Sequence, residues 1–270
     1  MGKCRSNRWL PLLITAFALA LTSCSCSSGG GSNTGGSGGA GGGGGAGGRT
    51  ATILCLGDSQ TYSTGYGLTL NEYWPAQAQL LAKADGYSVS ALNEGHSNWT
   101  TADLLGIAAD RLQKSAPNIV ILYAGVNDKE HSLTSATTQS NIQAIIDTAL
   151  SKGASYILIV NTNYLNYSSR GDNALKGTYY SNNQTLRTFQ LAAANYGIIK
   201  YGASKVGYCD LFAYQKSLIL AGTWTQGRWQ DSQVADLNLH MNPAAQKATS
   251  VLVWNTLKGV AGLLAPYKRP

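Results

Sequence analysis

From about residue 50 onward, short runs of nearly unbroken apolar residues alternate with longer segments of helical periodicity. Ala51 to Leu56 (ATILCL) reads as a first buried strand, Tyr87 to Leu92 as a second and Asn118 to Tyr123 (NIVILY) as a third. Tyr156 to Val160 and Val206 to Leu211 supply a fourth and fifth. Between them, Tyr73 to Ala84 places Trp74, Ala78 and Leu81 on one helical face, and Thr101 to Lys114 repeats apolar positions at Leu104, Leu105, Ala108 and Leu112. Ser135 to Lys152 and Gln184 to Tyr196 read as further helices, and Pro243 to Leu264 as a closing one. Strands this apolar must be covered on both faces, and helices between them supply the cover. The expected class is therefore α/β, a three-layer α/β/α domain around a parallel sheet.

Polar and glycine-rich clusters fall at one kind of place. Gly57-Asp58-Ser59, Asn93-Glu94-Gly95 and Gly125-Val126-Asn127-Asp128 each follow directly on a predicted strand. The carboxyl ends of the strands in an open α/β sheet line a single crevice, where ligands bind. Three separate clusters are thereby expected to converge.

The first 48 residues carry a different pattern. Lys3, Arg5 and Arg8 lead into the apolar run Trp9 to Leu21, too short for a comfortable membrane span and laid out like a secretory signal. Leu21-Thr22-Ser23-Cys24 resembles a bacterial lipobox, which implies a signal over residues 1–23, lipidation of Cys24 and an exported protein anchored to the cell envelope. Residues 24–48 are almost entirely Gly, Ser and Ala and read as a flexible tether with a reach of roughly 25–30 Å. Its Gly35-Gly36-Ser37-Gly38-Gly39 matches a nucleophile-elbow pattern in letters only, since no strand precedes it and no helix follows. Residues 49–270 then form one domain. The formal charge of +7 falls to +4 when the three basic residues leave with the signal, because no acidic residue precedes Cys24. The remaining cations are scattered, which argues against a nucleic-acid partner.

The expected domain keeps two cysteines, Cys55 and Cys209, both within apolar strand-like runs. An exported protein can form a disulfide. In a flavodoxin-like five-stranded sheet of order 2-1-3-4-5, however, the first and fifth strands are not neighbours. Strands two or more apart lie at least about 9.5 Å from each other, beyond the reach of a disulfide. Two free thiols are expected.

For chemistry, a serine hydroxyl needs a base, and the chain has three histidines: His96, His131 and His240. His240 lies in Asp236-Leu237-Asn238-Leu239-His240-Met241-Asn242-Pro243, just ahead of the closing helix. Gly57-Asp58-Ser59, the glycine of Asn93-Glu94-Gly95, Gly125-Val126-Asn127-Asp128 and His240-Met241-Asn242-Pro243 resemble, in order, the four blocks of the SGNH/GDSL hydrolases. Trp74-Pro75 and Thr100-Thr101-Ala102-Asp103 are similar to supporting text of that family. The resemblance implies an esterase with Ser59 as nucleophile and His240 as base. It implies an oxyanion hole made of the Ser59 N–H, the Gly95 N–H and the Asn127 side-chain amide. At position 95, glycine would let the backbone approach the substrate closely.

The chain departs from the family where an aspartate usually stands three residues before the histidine, because that position is Leu237. Asp236, one residue earlier, is the candidate third member, and a Ser–His dyad is the alternative. Asp58 and Asp128 are expected to be structural acceptors of hydrogen bonds rather than catalytic acids. His96 and His131 receive no role. No metal-ligand spacing or phosphate loop is present, and no cofactor is expected. The reading that results is a membrane-tethered, monomeric serine esterase acting on short-acyl esters or O-acetylated glycans. A non-catalytic binding protein on the same fold, or an acyltransferase using the same acyl-enzyme, are the alternatives.

Overall fold

The computed structural model describes residues 48–62, 68–164, 173–224 and 240–269. Cys24 and nearly all of the expected signal and tether lie outside the described residues, as does Asp236. Strands β1 (Ala51–Gly57), β2 (Val89–Gly95), β3 (Ile119–Tyr123), β4 (Tyr156–Val160) and β5 (Val206–Cys209) form one parallel sheet in the order β2-β1-β3-β4-β5. This is the expected architecture and strand order. Helices α1 (Trp74–Ala84), α2 (Thr101–Ser115), α3 (Ser135–Ser151), α4 (Asn173–Tyr201), α5 (Leu211–Leu220) and α6 (Pro243–Lys258) complete it among the described residues.

Alternation along the strands divides the core into two layers. Ile53, Cys55, Ile121, Tyr123 and Leu158 pack on one side with Trp74 of α1 and Val253, Trp254 and Leu257 of α6. Leu54, Leu56, Val120, Leu122 and Ile159 pack on the other with Leu104 of α2, Ile142 and Ile146 of α3 and Ala193 of α4. Both faces of β3 and β4 are buried, which is why their sequences show no polar alternation. Cys55 and Cys209 are free and buried, on strands separated by β3 and β4.

Three differences from the sequence reading have local causes. Helix α4 runs through Gly197 to Tyr201 instead of stopping near Tyr196, because the glycine sits against a neighbour rather than at an end. A Cβ there would lie 2.9 Å from Val206 Cγ1 and 3.2 Å from Ile146 Cγ2, so its absence lets α4 approach β5 and α3. The fifth strand ends at Cys209, since Asp210 accepts from the Ala213 N–H at 3.1 Å and caps a new helix, α5. Helix α6 stops at Lys258, and Val260 to Leu264 continue the core packing in turns rather than as helix.

Candidate active site

The segment that follows β1 is a tight turn. Thr61 N and Tyr62 N both bond to Asp58 O at 3.0 Å, and Asp58 N donates to Tyr123 O at 3.3 Å. The Asp58 carboxylate accepts the Gln60 N–H at 2.9 Å and faces the backbone N–H groups of Gly125 and Val126, which act to lower its pKa. Asp58 thus joins the turn after β1 to the loop after β3. Burial pushes its carboxyl up to about 7, with Asp128 adding to the rise and the backbone donors opposing it. Ser59 lies in the middle of this turn and is 5% exposed.

The loop after β2 is joined to the same place. Gly57 and Gly95 are register partners, and His96 N donates to Gly57 O at 2.9 Å. A Cβ on Gly95 would overlap the backbone of Thr61 and Tyr62. Glycine is therefore required by contact with the Ser59 turn, rather than by approach of a substrate.

The expected oxyanion role of Gly95 meets a difficulty here. Its N–H is donated to Asn93 Oδ1 at 2.9 Å, and the residue lies inside β2. Farther along this loop, Asn98 adopts a left-handed backbone with φ of 63°. Among the described residues its N–H makes no hydrogen bond. Its side-chain oxygen lies 3.2 Å from His131 Nε2, and the next residue, Trp99, offers its carbonyl to Asn127 Nδ2 at 2.9 Å. The only sequence signal for Asn98 was an asparagine, a residue tolerant of positive φ, three residues past the glycine.

Asn127 is 5% exposed, and Trp99 fixes its amide orientation through one of its two N–H groups. The adjacent Asp128 holds the helices around the site. Its carboxylate accepts the Thr101 N–H at 2.8 Å, the Thr101 hydroxyl at 2.5 Å and the Thr138 hydroxyl at 2.7 Å. This is the structural part expected of it. His96 stacks on Trp99 with ring centroids 3.9 Å apart and pairs with Glu94 at 3.4 Å, so it braces the same loop.

His240 is half-buried just before α6, whose first turn is capped by Asn242 Oδ1 accepting from Ala245 N at 3.0 Å. Burial depresses its imidazole to about 4, so the ring is neutral at ordinary pH. Beside the Asn127 loop opens a cavity of about 310 Å³, lined in part by Val126, Leu133, Thr138 and Leu186. The structure thus links the segments carrying Ser59, Gly95 and Asn127 by direct contacts. Met241, the residue after His240, is linked to the Ser59 turn through Gln215, Asn163 and Gln60.

This combination of fold and strand-end turns defines an α/β domain of SGNH type. The chain belongs to the GDSL-like Lipase/Acylhydrolase family, whose profile matches residues 55–248. An arylesterase of Vibrio mimicus is 26% identical over 118 residues, spanning 44% of this chain and 58% of the arylesterase, so the match covers little more than half of that relative. The fold is shared with a lipase/acylhydrolase from Enterococcus faecalis (TM-score 0.60, 17% identity, 78% of this chain and 96% of that one). It is shared equally with an acetylxylan esterase from Geobacillus stearothermophilus, solved as a catalytic mutant (TM-score 0.61, 14% identity, 79% and 95%). A family 3 carbohydrate esterase of Clostridium thermocellum is similar too (TM-score 0.61, 16% identity, 80% and 100%).

Proposed function

We propose that this protein hydrolyses carboxylic esters through an acyl-enzyme on Ser59. The observation that carries the proposal is the set of contacts gathering the Ser59 turn and the Asn127 amide at the carboxyl ends of β1 and β3. Ser59 Oγ attacks the acyl carbon while His240, kept neutral by burial, takes the hydroxyl proton. The same proton goes to the departing alcohol, and water then cleaves the acyl-enzyme by the reverse sequence of proton transfers. Asp236 orients the imidazole in this reading.

The negative charge that forms on the carbonyl oxygen is met by the Ser59 N–H and the second N–H of the Asn127 amide. For the remaining backbone donor, Gly95 serves only if Asn93 releases its N–H. Asn98, whose N–H is unbonded among the described residues and whose neighbour Trp99 holds Asn127, is the donor the geometry favours.

Carbohydrate acetyl esters are the substrate class in view, in keeping with what the Geobacillus enzyme's name states of that protein. Residues 1–23 act as a lipoprotein signal and residues 24–48 as a tether from lipidated Cys24. Incorporation of labelled fatty acid that is lost in Cys24→Ser tests the anchor.

The activity is tested by hydrolysis of p-nitrophenyl acetate, butyrate and a long-chain ester by the full chain beside Ser59→Ala. Turnover favouring acetate and abolished by the substitution is expected. Turnover of the long-chain ester alone would overturn the short-acyl reading, and an undiminished Ser59→Ala would overturn the acyl-enzyme.

A further inference from the structure

The residue after Ser59 and the residue after His240 are joined by a buried chain of hydrogen bonds. Gln60 offers Oε1 to Asn163 Nδ2 at 2.8 Å. Asn163 stands just beyond β4, and its Oδ1 accepts from the Tyr123 hydroxyl and from Gln215 Nε2, the latter at 3.3 Å. Gln215, on α5, also directs Nε2 to Met241 Sδ at 3.5 Å, and the Thr249 hydroxyl donates to the same sulfur at 3.1 Å. The path crosses from β1 to the start of α6 through two amides.

Both amides are oriented by their surroundings. The Tyr164 N–H donates to Gln215 Oε1 at 2.8 Å, which leaves the nitrogen facing Asn163 and Met241. The Tyr123 hydroxyl holds Asn163 Oδ1, which leaves that nitrogen facing Gln60. Reversing either amide would set donor against donor in a site shielded from water. Gln60, Asn163, Gln215 and Met241 are all at most 2% exposed, so no solvent can substitute for a lost partner. His240 itself lies outside the five strands and is followed directly by the buried Met241.

We propose that Asn163 and Gln215 are positioning residues, which hold the Ser59 turn and the His240 segment at the one separation that lets hydroxyl and imidazole meet. This rests on the reading of Ser59 and His240 as nucleophile and base. Gln215→Met keeps the length and packing of the side chain but cannot donate to Met241. Asn163→Asp keeps the acceptor used by Tyr123 and Gln215 but loses the donor to Gln60. Asn118→Ala is the control, since Asn118 Oδ1 accepts from Thr52 N at 2.8 Å at the far end of the sheet.

The test compares these variants of the full chain by steady-state kinetics on p-nitrophenyl acetate, thermal unfolding, and NMR titration of the His240 ring. In both network variants kcat should fall about 10- to 100-fold, the scale of a misplacement near one ångström. KM should stay within about twofold, because ground-state binding is untouched. The His240 titration should shift in both, whereas Asn118→Ala should unfold earlier with kcat and titration unchanged. Wild-type kcat and His240 titration in the network variants would overturn the proposal, as would an equal loss of kcat in Asn118→Ala. If Gln215→Met does not fold, Asn163→Asp carries the comparison. A Ser59→Ala chain as active as the wild type would sink the nucleophile reading separately, and the His240 titration would still report whether the network holds the histidine.

Discussion

Thr101 donates both its backbone N–H and its hydroxyl to the carboxylate of Asp128, tying the first turn of α2 to the loop after β3. Thr138 adds a third donor from α3. Asp128 therefore closes the wall beside Asn127 by satisfying groups from two helices. Asp128→Ala would leave the two Thr101 donors without this acceptor, each costing about 1–3 kcal/mol, while the Thr138 hydroxyl keeps the Thr134 carbonyl at 3.3 Å. Denaturant unfolding should show a loss of at least about 2 kcal/mol. A loss below about 1 kcal/mol would mean that water or a neighbour replaces the carboxylate.

Gly95→Ala makes a sharper prediction. The added methyl would meet the backbone of Thr61 and Tyr62, which cannot rotate away as a side chain would. The Ser59 turn must then shift, so both the unfolding temperature and kcat should fall. Loss of kcat with unchanged stability would instead support a substrate-contacting role for this glycine.

Asn127→Ala removes an amide already oriented by the Trp99 carbonyl. Loss of one such donor typically costs about 3–4 kcal/mol in the transition state, or roughly 10²- to 10³-fold in kcat. KM should change little, since the charge it meets develops only during reaction. An equal rise in KM with constant kcat would assign Asn127 to substrate binding.

The depressed imidazole of His240 sets a pH dependence. Its folded value, about 4, lies below the ordinary 6.5, so between these limits the unfolded chain binds the proton and the folded chain does not. The His240 contribution to stability should therefore fall as pH drops from 6.5 towards 4 and level off below, opposite in sign to that of Asp58, whose carboxyl burial raises to about 7. The difference in stability between wild type and His240→Gln should show that fall, and a difference constant with pH would contradict it. The acidic limb of kcat/KM should lie well below 6.5, because the base remains neutral there. A limb at 6.5 or above would show that an ionised partner, with Asp236 the first candidate, outweighs burial.

Much of the framework was legible in the sequence because it rests on local pattern. β3 and β4 are apolar at every position, and β4 occupies the span its run of apolar residues suggested. The apolar period from Thr101 placed the start of α2 correctly, and the structure adds a Thr100–Asp103 capping box there. What was not legible depends on distant neighbours. Gly197 looks like a helix end until β5 is placed against it, and α5 is too apolar all round to show an amphipathic period. Because α5 was not foreseen, neither was Gln215. Gly95 was read for its freedom near a substrate, whereas register with Gly57 puts it under the Ser59 turn and leaves Asn98 at the left-handed position.

The most direct measurement of the central claim is the intact mass of the full chain after reaction with a small fluorophosphonate, followed by peptide mapping. One adduct on the peptide bearing Ser59, absent in Ser59→Ala and slowed in His240→Gln, is the predicted result. No adduct on the folded chain, or one that persists in Ser59→Ala, would contradict the account.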